Sequence, residues 1–155
     1  MKLAVVQIRG LLSAPETIKS TFTFLKLPKS HSCVVLESTP VIAGMLNQLK
    51  DYVTWGELDE ATFNELLVKR GKLPGGKTLT ESYLQDKLKL TFASFAKEFF
   101  AGKRRLKDVP GMKPYFRLKP PVHGFERGGV KNPYSMGGVL GYRGSKINDL
   151  LRRMI

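Results

Sequence analysis

The first 57 residues alternate between short apolar runs and stretches that carry an apolar side chain every three or four positions. The runs are rich in β-branched residues, which favours strands, whereas the wider spacing is typical of helices with one buried face. The pattern predicts strands at residues 3–8, 33–37 and 52–55, the last one stopped by Gly56, with a helix between each pair. We therefore predict a three-stranded sheet with both helices on one face.

Local signals predict where these two helices begin. Ser13 and Glu16 have the S-x-x-E spacing of a capping box, and Pro15 stands in the first turn, where its missing N–H costs little. Thr39 and Pro40 suit the N-cap and the first helical position of the second helix.

Three further helical patterns follow in residues 58–102, with Asp59, Thr80 and Thr91 as candidate caps. The third is rich in phenylalanine, and packing against the sheet explains this most simply. Residues 103–144 then show no clear period.

A structureless segment of that length fits an arm laid along an external surface. A last amphipathic pattern predicts a helix over residues 145–154. The predicted class is α+β, organised as a βαβαβ core (1–57), a helical addition (58–102) and a basic, Gly/Pro-rich extension (103–155). The first two are expected to fold without the third.

Charge is concentrated in the extension. The chain carries 26 Lys and Arg against 13 Asp and Glu, a net charge of +13 with a pI near 10.0. The last 55 residues alone hold 13 basic and three acidic side chains, a net charge of +10. Such an excess attracts polyanions, and nucleic acid is the first partner to consider.

No apolar run is long enough to cross a bilayer, so we expect no membrane partner. The single Cys33 is expected to be a buried structural thiol in a reducing compartment.

Residues 71–78, GKLPGGKT, match the phosphate-loop pattern G-x-x-x-x-G-K-[ST]. That loop works between a buried strand and a helix, where free backbone N–H groups surround the phosphates. Here a predicted helix precedes the pattern, and no buried strand that ends in a free Asp is available for magnesium. We interpret the segment as a turn between helices. A small nucleotide-binding enzyme or switch that uses Gly71–Thr78 is the alternative.

No other pattern indicates an active site. His31 and His123 lack metal-ligand spacing, and no nucleophile motif is present. Residues 141–144, GYRG, match the GXXG clamp of one RNA-binding module, but they follow an irregular segment instead of a helix. We expect no catalytic residue, cofactor, metal or small-molecule substrate.

The extension interleaves basic and aromatic side chains on a backbone that prolines hold extended. Basic groups neutralise phosphates, and aromatic rings stack on unpaired bases. Because no groove-reading helix with a dimer signal is present, shape-driven RNA contact is favoured over sequence-specific DNA reading. The predicted RNA-contacting residues are Arg9, Lys26, Lys29, Lys103, Arg104, Arg105, Lys107, Lys113, Tyr115, Arg117, Lys119, Arg127, Lys131, Tyr142, Arg143, Lys146, Arg152 and Arg153.

Two separate segments resemble one known family. Residues 38–60, STPVIAGMLNQLKDYVTWGELDE, resemble the signature region of the large-subunit ribosomal protein family called L thirty in bacteria and archaea and L seven in eukaryotes. The matching positions are Thr39-Pro40, Gly44-Met45, Asn47 and Lys50 through Gly56. Residues 116–134 and 137–155 resemble the C-terminal extension of the long archaeal form, so the resemblance spans the chain.

The resemblance implies a non-catalytic protein of the cytoplasmic ribosome, with a βαβαβ core and an extension that contacts large-subunit rRNA. It also implies neighbouring ribosomal proteins, with 5S rRNA as a candidate neighbour. Met1 leads directly into the first strand without the basic arm of eukaryotic members, which favours the archaeal type. Ala43 stands where many relatives carry Arg or Lys, and an RNA contact on that helix is therefore not expected here.

Overall fold

The structure, a computed structural model, describes all 155 residues and has the predicted three strands at its centre. Strands β1 (Lys2–Gln7), β2 (Ser32–Glu37) and β3 (Val53–Glu57) form an antiparallel unit with β1 in the middle. The predicted stop at Gly56 is wrong, because β3 continues through this glycine to Glu57.

Two helices cover one face of this unit, as predicted. They are α1 (Glu16–Phe24) and α2 (Pro40–Gln48). Leu3 and Val5 of β1 belong to the same buried cluster as Phe22 of α1 and Leu46 of α2. Alternate strand residues point to opposite faces, which is why every second position of β1 faces these helices.

The caps predicted for α1 and α2 have different outcomes. Thr39 caps α2 through its Oγ1, which accepts a hydrogen bond from the N–H of Ile42 at 3.2 Å. The capping box at Ser13 does not form. Pro15 occupies the N-cap position of α1 without a side-chain cap, and the preceding residues form a turn in which the Ala14 N–H donates to the Leu11 carbonyl.

The opposite face carries the larger part of the core. Ala4 and Val6 of β1 point into it, and Phe63 stacks on Phe99 with ring centroids 4.5 Å apart. Four helices contribute to this face: α3 (Glu60–Arg70), α4 (Glu81–Leu88), α5 (Phe92–Phe100) and α6 (Ile147–Met154).

The extension widens the sheet at both edges. Strand β4 (Phe116–Arg117) pairs antiparallel with β2, and β5 (Gly141–Tyr142) pairs parallel with β3. The sheet therefore has five strands in the order β4-β2-β1-β3-β5. The predicted three-stranded core is its central part.

The expectation that the extension lies along an external surface is wrong for its apolar residues. Eleven of the 26 residues in the larger buried cluster come from it: Leu106, Val109, Met112, Phe116, Leu118, Val139, Leu140, Ile147, Leu150, Leu151 and Met154. They enter the core from short turns, the two-residue strand β4 and α6. The ranges 1–57, 58–102 and 103–155 therefore share one core.

A close backbone contact joins β3 to the turn that leads into α6. An ideal Cβ placed on Gly56 would lie 2.0 Å from the carbonyl oxygen of Gly144, so only glycine fits there. Asn148 of α6 reinforces the contact: its Nδ2 donates to the Glu57 carbonyl at 3.0 Å, and its Oδ1 accepts from the Asp59 N–H at 3.0 Å.

Two further observations concern compartment and chemistry. Cys33 is fully buried, as predicted, and this burial raises the pKa of its thiol to about 12. No helix in the structure is long and apolar enough to span a membrane.

Candidate nucleic-acid interface

The GKLPGGKT segment is a helix–helix connection, as interpreted from the sequence. It joins α3 to α4 and is closed by a bridge between Lys72 and Thr78. The N–H of Leu73 donates to the Lys77 carbonyl, and the N–H of Gly76 donates to the Leu73 carbonyl. These amides are therefore already bonded within the loop, and no strand precedes it, so the segment lacks the phosphate-binding arrangement.

The clearest cationic surface runs along the sheet edge formed by β4 and β2. We call it the β4-edge surface and define it by Lys26, Lys29, Arg105, Lys107, Tyr115 and Arg117. Three adjoining hollows follow this edge. The first two share Lys26 and Pro114, and the last two share Leu11 and Pro28, so the surface is continuous.

Its cations come from two parts of the chain. Lys26 follows α1 with a positive φ of 60°, and the chain turns there so that Leu25 and Leu27 are buried while Lys26 stays exposed. Arg117 is brought to the same edge by the register of β4, in which it lies opposite Ser32, and it lines one hollow together with Lys29. The pairing of β4 with β2 thus joins core and extension residues that are far apart in sequence.

The side chains of the β4-edge surface are available to a partner. None of its five cations makes an ion pair within the chain. All five residues are exposed, and Tyr115 is half-buried. The one carboxylate lining these hollows, Glu37, is bonded to Lys2 at 2.6 Å. That bond and the charge of Lys2 lower the pKa of Glu37.

A second surface lies at the opposite edge, where β5 pairs with β3. We call it the β5-edge groove and define it by Lys50, Trp55, Lys131, Tyr134 and Tyr142. The prediction included Lys131 and Tyr142 but not the other three. Lys50 and Trp55 have no sequence signal that marks them for this groove beyond the charge of Lys50.

Arg143 does not belong to either surface, although the sequence predicted it as an RNA contact. Its side chain is only 1% exposed. The guanidinium donates to Thr54 Oγ1 at 2.9 Å, to the Val139 carbonyl at 2.8 Å and to both oxygens of Glu126 at 3.0 and 3.4 Å. It also lies over the ring of Tyr134, 4.6 Å from the centroid.

Glu126 is the carboxylate partner of two arginines. Besides Arg143, it accepts a hydrogen bond from Arg153 Nη2 at 3.0 Å. Burial alone raises the pKa of Glu126, but the hydrogen bond and charge of Arg143, together with the charge of Arg153, hold that pKa below its ordinary value. The extension is therefore held in place by the group Arg143–Glu126–Arg153, whose charges are paired with one another and not directed at a ligand.

The remaining predicted residues are scattered around these two surfaces. Arg104 pairs with Glu98 at 3.2 Å, and Arg9 lies over the ring of Tyr52 at 5.4 Å, so both are partly engaged within the chain. Arg153 is engaged by Glu126, and Lys113 is half-buried. The residues that are simply exposed are Lys103, Lys119, Arg127, Lys146 and Arg152.

Fold and surfaces together define a small basic α+β protein with two cationic sheet edges. The chain contains no cluster of three or more His, Cys, Asp or Glu that could hold a metal ion.

Comparison with known proteins gives the family. Residues 3–53 match the family model described as Ribosomal protein L30p/L7e. "Large ribosomal subunit protein uL30" of Methanopyrus kandleri is 45% identical over 149 residues, covering 96% of this chain and all of that protein. The protein of the same name from Methanococcus vannielii is 44% identical over 155 residues, all of both chains. That of Nanoarchaeum equitans is 41% identical over 152 residues, covering 98% and 97%.

This chain belongs to the ribosomal protein L30p/L7e family. The resemblance predicted from residues 38–60 and from the C-terminal segments is confirmed, since the matches extend over the whole chain.

Proposed function

We propose that this protein is a structural constituent of the large ribosomal subunit, located in the cytoplasm, and that it binds large-subunit rRNA through the β4-edge surface. It is not an enzyme, and relatives that match it end to end carry the name of a large-subunit protein. The alternative of a nucleotide-binding enzyme has no support, because the amides of Leu73 and Gly76 are bonded within their own loop.

One observation supports the β4-edge surface as the RNA-binding surface: cations without an ion-pair partner converge at this edge of the sheet. Lys29 and Arg117 line one hollow, and Lys26, Arg105 and Lys107 line another along the same edge. Exposed cations without internal carboxylate partners keep their full charge for phosphate groups. A row of them along a sheet edge suits the phosphates of a folded RNA, which such proteins recognise mainly by shape.

Other predicted contacts belong to the same proposal in a secondary role. The exposed cations of the extension outside both surfaces add to the net charge of +13, which increases the local concentration of RNA around the protein. Neighbouring ribosomal proteins are expected partners, and 5S rRNA is proposed as a further partner. Ala43 is exposed on α2 and contributes no charge there.

The test compares two variants of equal charge change. The first carries Gln at Lys29, Arg105, Lys107 and Arg117. The control carries Gln at Lys69, Lys77, Lys87 and Lys97, which are exposed, lie on or between α3, α4 and α5, and form no ion pairs. Binding to purified large-subunit rRNA is measured over a range of salt concentrations.

Each lost phosphate contact reduces the slope of log K against log salt by roughly 0.7–0.9. The β4-edge variant is therefore expected to lose about 3 from its slope, whereas the control keeps the wild-type slope. Equal slopes for both variants would place the binding surface elsewhere. Co-sedimentation of the wild-type protein with large subunits through a salt wash tests the ribosomal role independently.

A further inference from the structure

The β5-edge groove exposes two aromatic rings side by side. Trp55 and Tyr142 are register partners in the parallel pair β3–β5, and their ring centroids lie 6.5 Å apart at an interplanar angle of 47°. Trp55 is half-buried, but Tyr142 is 54% exposed. A ring this exposed contributes little to the core, so its face is available to a ligand.

Hydrogen bonds fix the Tyr142 ring in its exposed position. Its hydroxyl donates to Glu57 Oε1 at 3.1 Å, and this bond raises the pKa of the phenol, so the group stays protonated as a donor. The backbone on both sides is fixed as well: the N–H of Arg143 donates to the Trp55 carbonyl, and Thr54 Oγ1 donates to the Gly141 carbonyl at 3.0 Å. The ring is thus ordered before any ligand arrives.

Two unpaired cations flank the rings. Lys50, which follows α2, and Lys131, on the extension, line the same groove of about 430 Å³. Both are exposed and neither forms an ion pair. The one carboxylate in the groove lining is Asp51, and the remaining polar groups there include Asn47.

The loop that carries Lys131 is closed by its own backbone. The N–H of Gly128 donates to the Gly137 carbonyl at 3.0 Å, and the N–H groups of Val139 and Leu140 both donate to the Asn132 carbonyl. An ideal Cβ on Gly138 would lie 2.1 Å from that same carbonyl oxygen, so glycine is needed for the loop to close. Lys131 is therefore presented by a fixed wall of the groove.

We propose that the β5-edge groove is a binding site for an unpaired RNA base, which stacks on Tyr142 and Trp55 while Lys50 and Lys131 bind the flanking phosphates. The inference rests on the proposed RNA-binding function and gives that function a second, chemically distinct site. A nucleotide base can stack on the aromatic rings while the phosphates on either side of it reach the two lysines. A duplex offers no free base face at its side, so the groove selects unpaired nucleotides.

Trp55 supplies the readout, because it is the only tryptophan in the chain and a base stacked on it quenches its fluorescence. The probe is an RNA hairpin with a loop of unpaired adenosines, compared with the same hairpin carrying abasic riboses in the loop. The adenosine hairpin is expected to quench Trp55 and to bind about 10- to 100-fold more tightly, as the loss of one stacked base predicts.

Variants of the full chain locate the effect. Tyr142→Leu should abolish the preference for the adenosine loop, whereas Tyr142→Phe, which keeps the ring, should retain it. The double change Lys50→Gln and Lys131→Gln should weaken both hairpins alike, and Lys69→Gln with Lys87→Gln serves as the control of equal charge. The abasic comparison needs no variant, so the test stands even if Tyr142→Leu fails to fold.

The outcomes separate this inference from the proposed function. Equal affinity for the two hairpins with unchanged Trp55 fluorescence overturns the base site but leaves rRNA binding intact. Binding to large-subunit rRNA without binding to either hairpin also overturns the base site. Failure to bind the hairpins and the rRNA alike overturns both proposals.

Discussion

Arg143 and Glu126 are bonded to each other through two hydrogen bonds, from Nη1 at 3.0 Å and from Nη2 at 3.4 Å, with the arginine side chain almost completely buried. The same guanidinium reaches Thr54 of β3, so this one residue ties the loop of the extension to the central sheet. This buried cation makes four hydrogen bonds within the chain, and it therefore holds the fold together instead of facing RNA.

Arg143→Ala is therefore expected to destabilise the protein. Removing one partner of a buried ion pair leaves the other without its partner, which costs roughly 3–5 kcal/mol. Because Glu126 is partly exposed, the lower end, about 3 kcal/mol, is expected. Chemical denaturation gives the free energy of unfolding. Arg127→Ala, an exposed change on the same loop, is the control and should stay within about 0.5 kcal/mol. An equally small effect at Arg143 would contradict the assignment.

The same pair predicts a dependence of stability on pH. The pKa of Glu126 is lower in the fold than its ordinary value of 4.5, so its contribution to stability is complete above that value. The contribution is lost as the pH falls through the lowered pKa of the folded state. The difference in unfolding free energy between wild type and Glu126→Gln should thus be constant near neutral pH and shrink below pH 4.5. A difference that grows on acidification would show that the sign is wrong.

Periodicity predicted the central fold because each element there has a continuous buried face. Strands alternate and helices repeat every three to four residues, so positions such as Val5 and Phe22 could be assigned from spacing alone. Before α6 the extension has no such repeat, since residues such as Val109 and Phe116 enter the core singly from turns and a two-residue strand. Local sequence predicts that Gly56 ends the strand, whereas glycine is needed there because the Gly144 backbone, distant in sequence, packs against it.

The candidate site was predictable only in part for a similar reason. Positive charge marks the residue types that suit RNA, but pairing decides which of them are free. Lys29 and Arg117 are exposed and line one hollow, whereas Arg143, an equally basic residue, is paired with Glu126. No spacing rule connects residues 126 and 143, because the loop between them is closed by irregular backbone bonds. Trp55 lies in the near-neutral part of the chain and gave no charge signal.

Because the three ranges share one core, we expect that residues 1–102 do not fold alone, contrary to the prediction from the sequence. The fragment would lack eleven of the 26 residues of the larger cluster and both edge strands. It should unfold without a cooperative transition and bind a hydrophobic dye at low temperature, whereas the full chain unfolds cooperatively under the same conditions. Circular dichroism during heating gives the comparison. A cooperative transition in the fragment would restore the division into independent units.

Lys77→Ala tests the phosphate-loop pattern directly. Lys77 is exposed and forms no ion pair, so the change should alter the unfolding free energy by no more than about 0.5 kcal/mol. Titration with labelled ATP and magnesium should give no saturable binding for either protein. Micromolar binding by the wild type that disappears in the variant would establish a nucleotide site after all.

Two glycine-to-alanine changes separate close packing from helix propensity. Gly56→Ala introduces a methyl group where an ideal Cβ lies 2.0 Å from the Gly144 carbonyl oxygen, so β3 and the start of α6 must move apart. Overpacking of this kind costs about 1–3 kcal/mol. Gly44 lies within α2 with no atom within 4 Å of its ideal Cβ, and Gly44→Ala should therefore stabilise the protein by about 0.5–1 kcal/mol. Urea denaturation should show the two midpoints shifting in opposite directions with an unchanged slope. If both changes shifted the midpoint the same way, the contact between β3 and α6 would not be the constraint that keeps glycine at position 56.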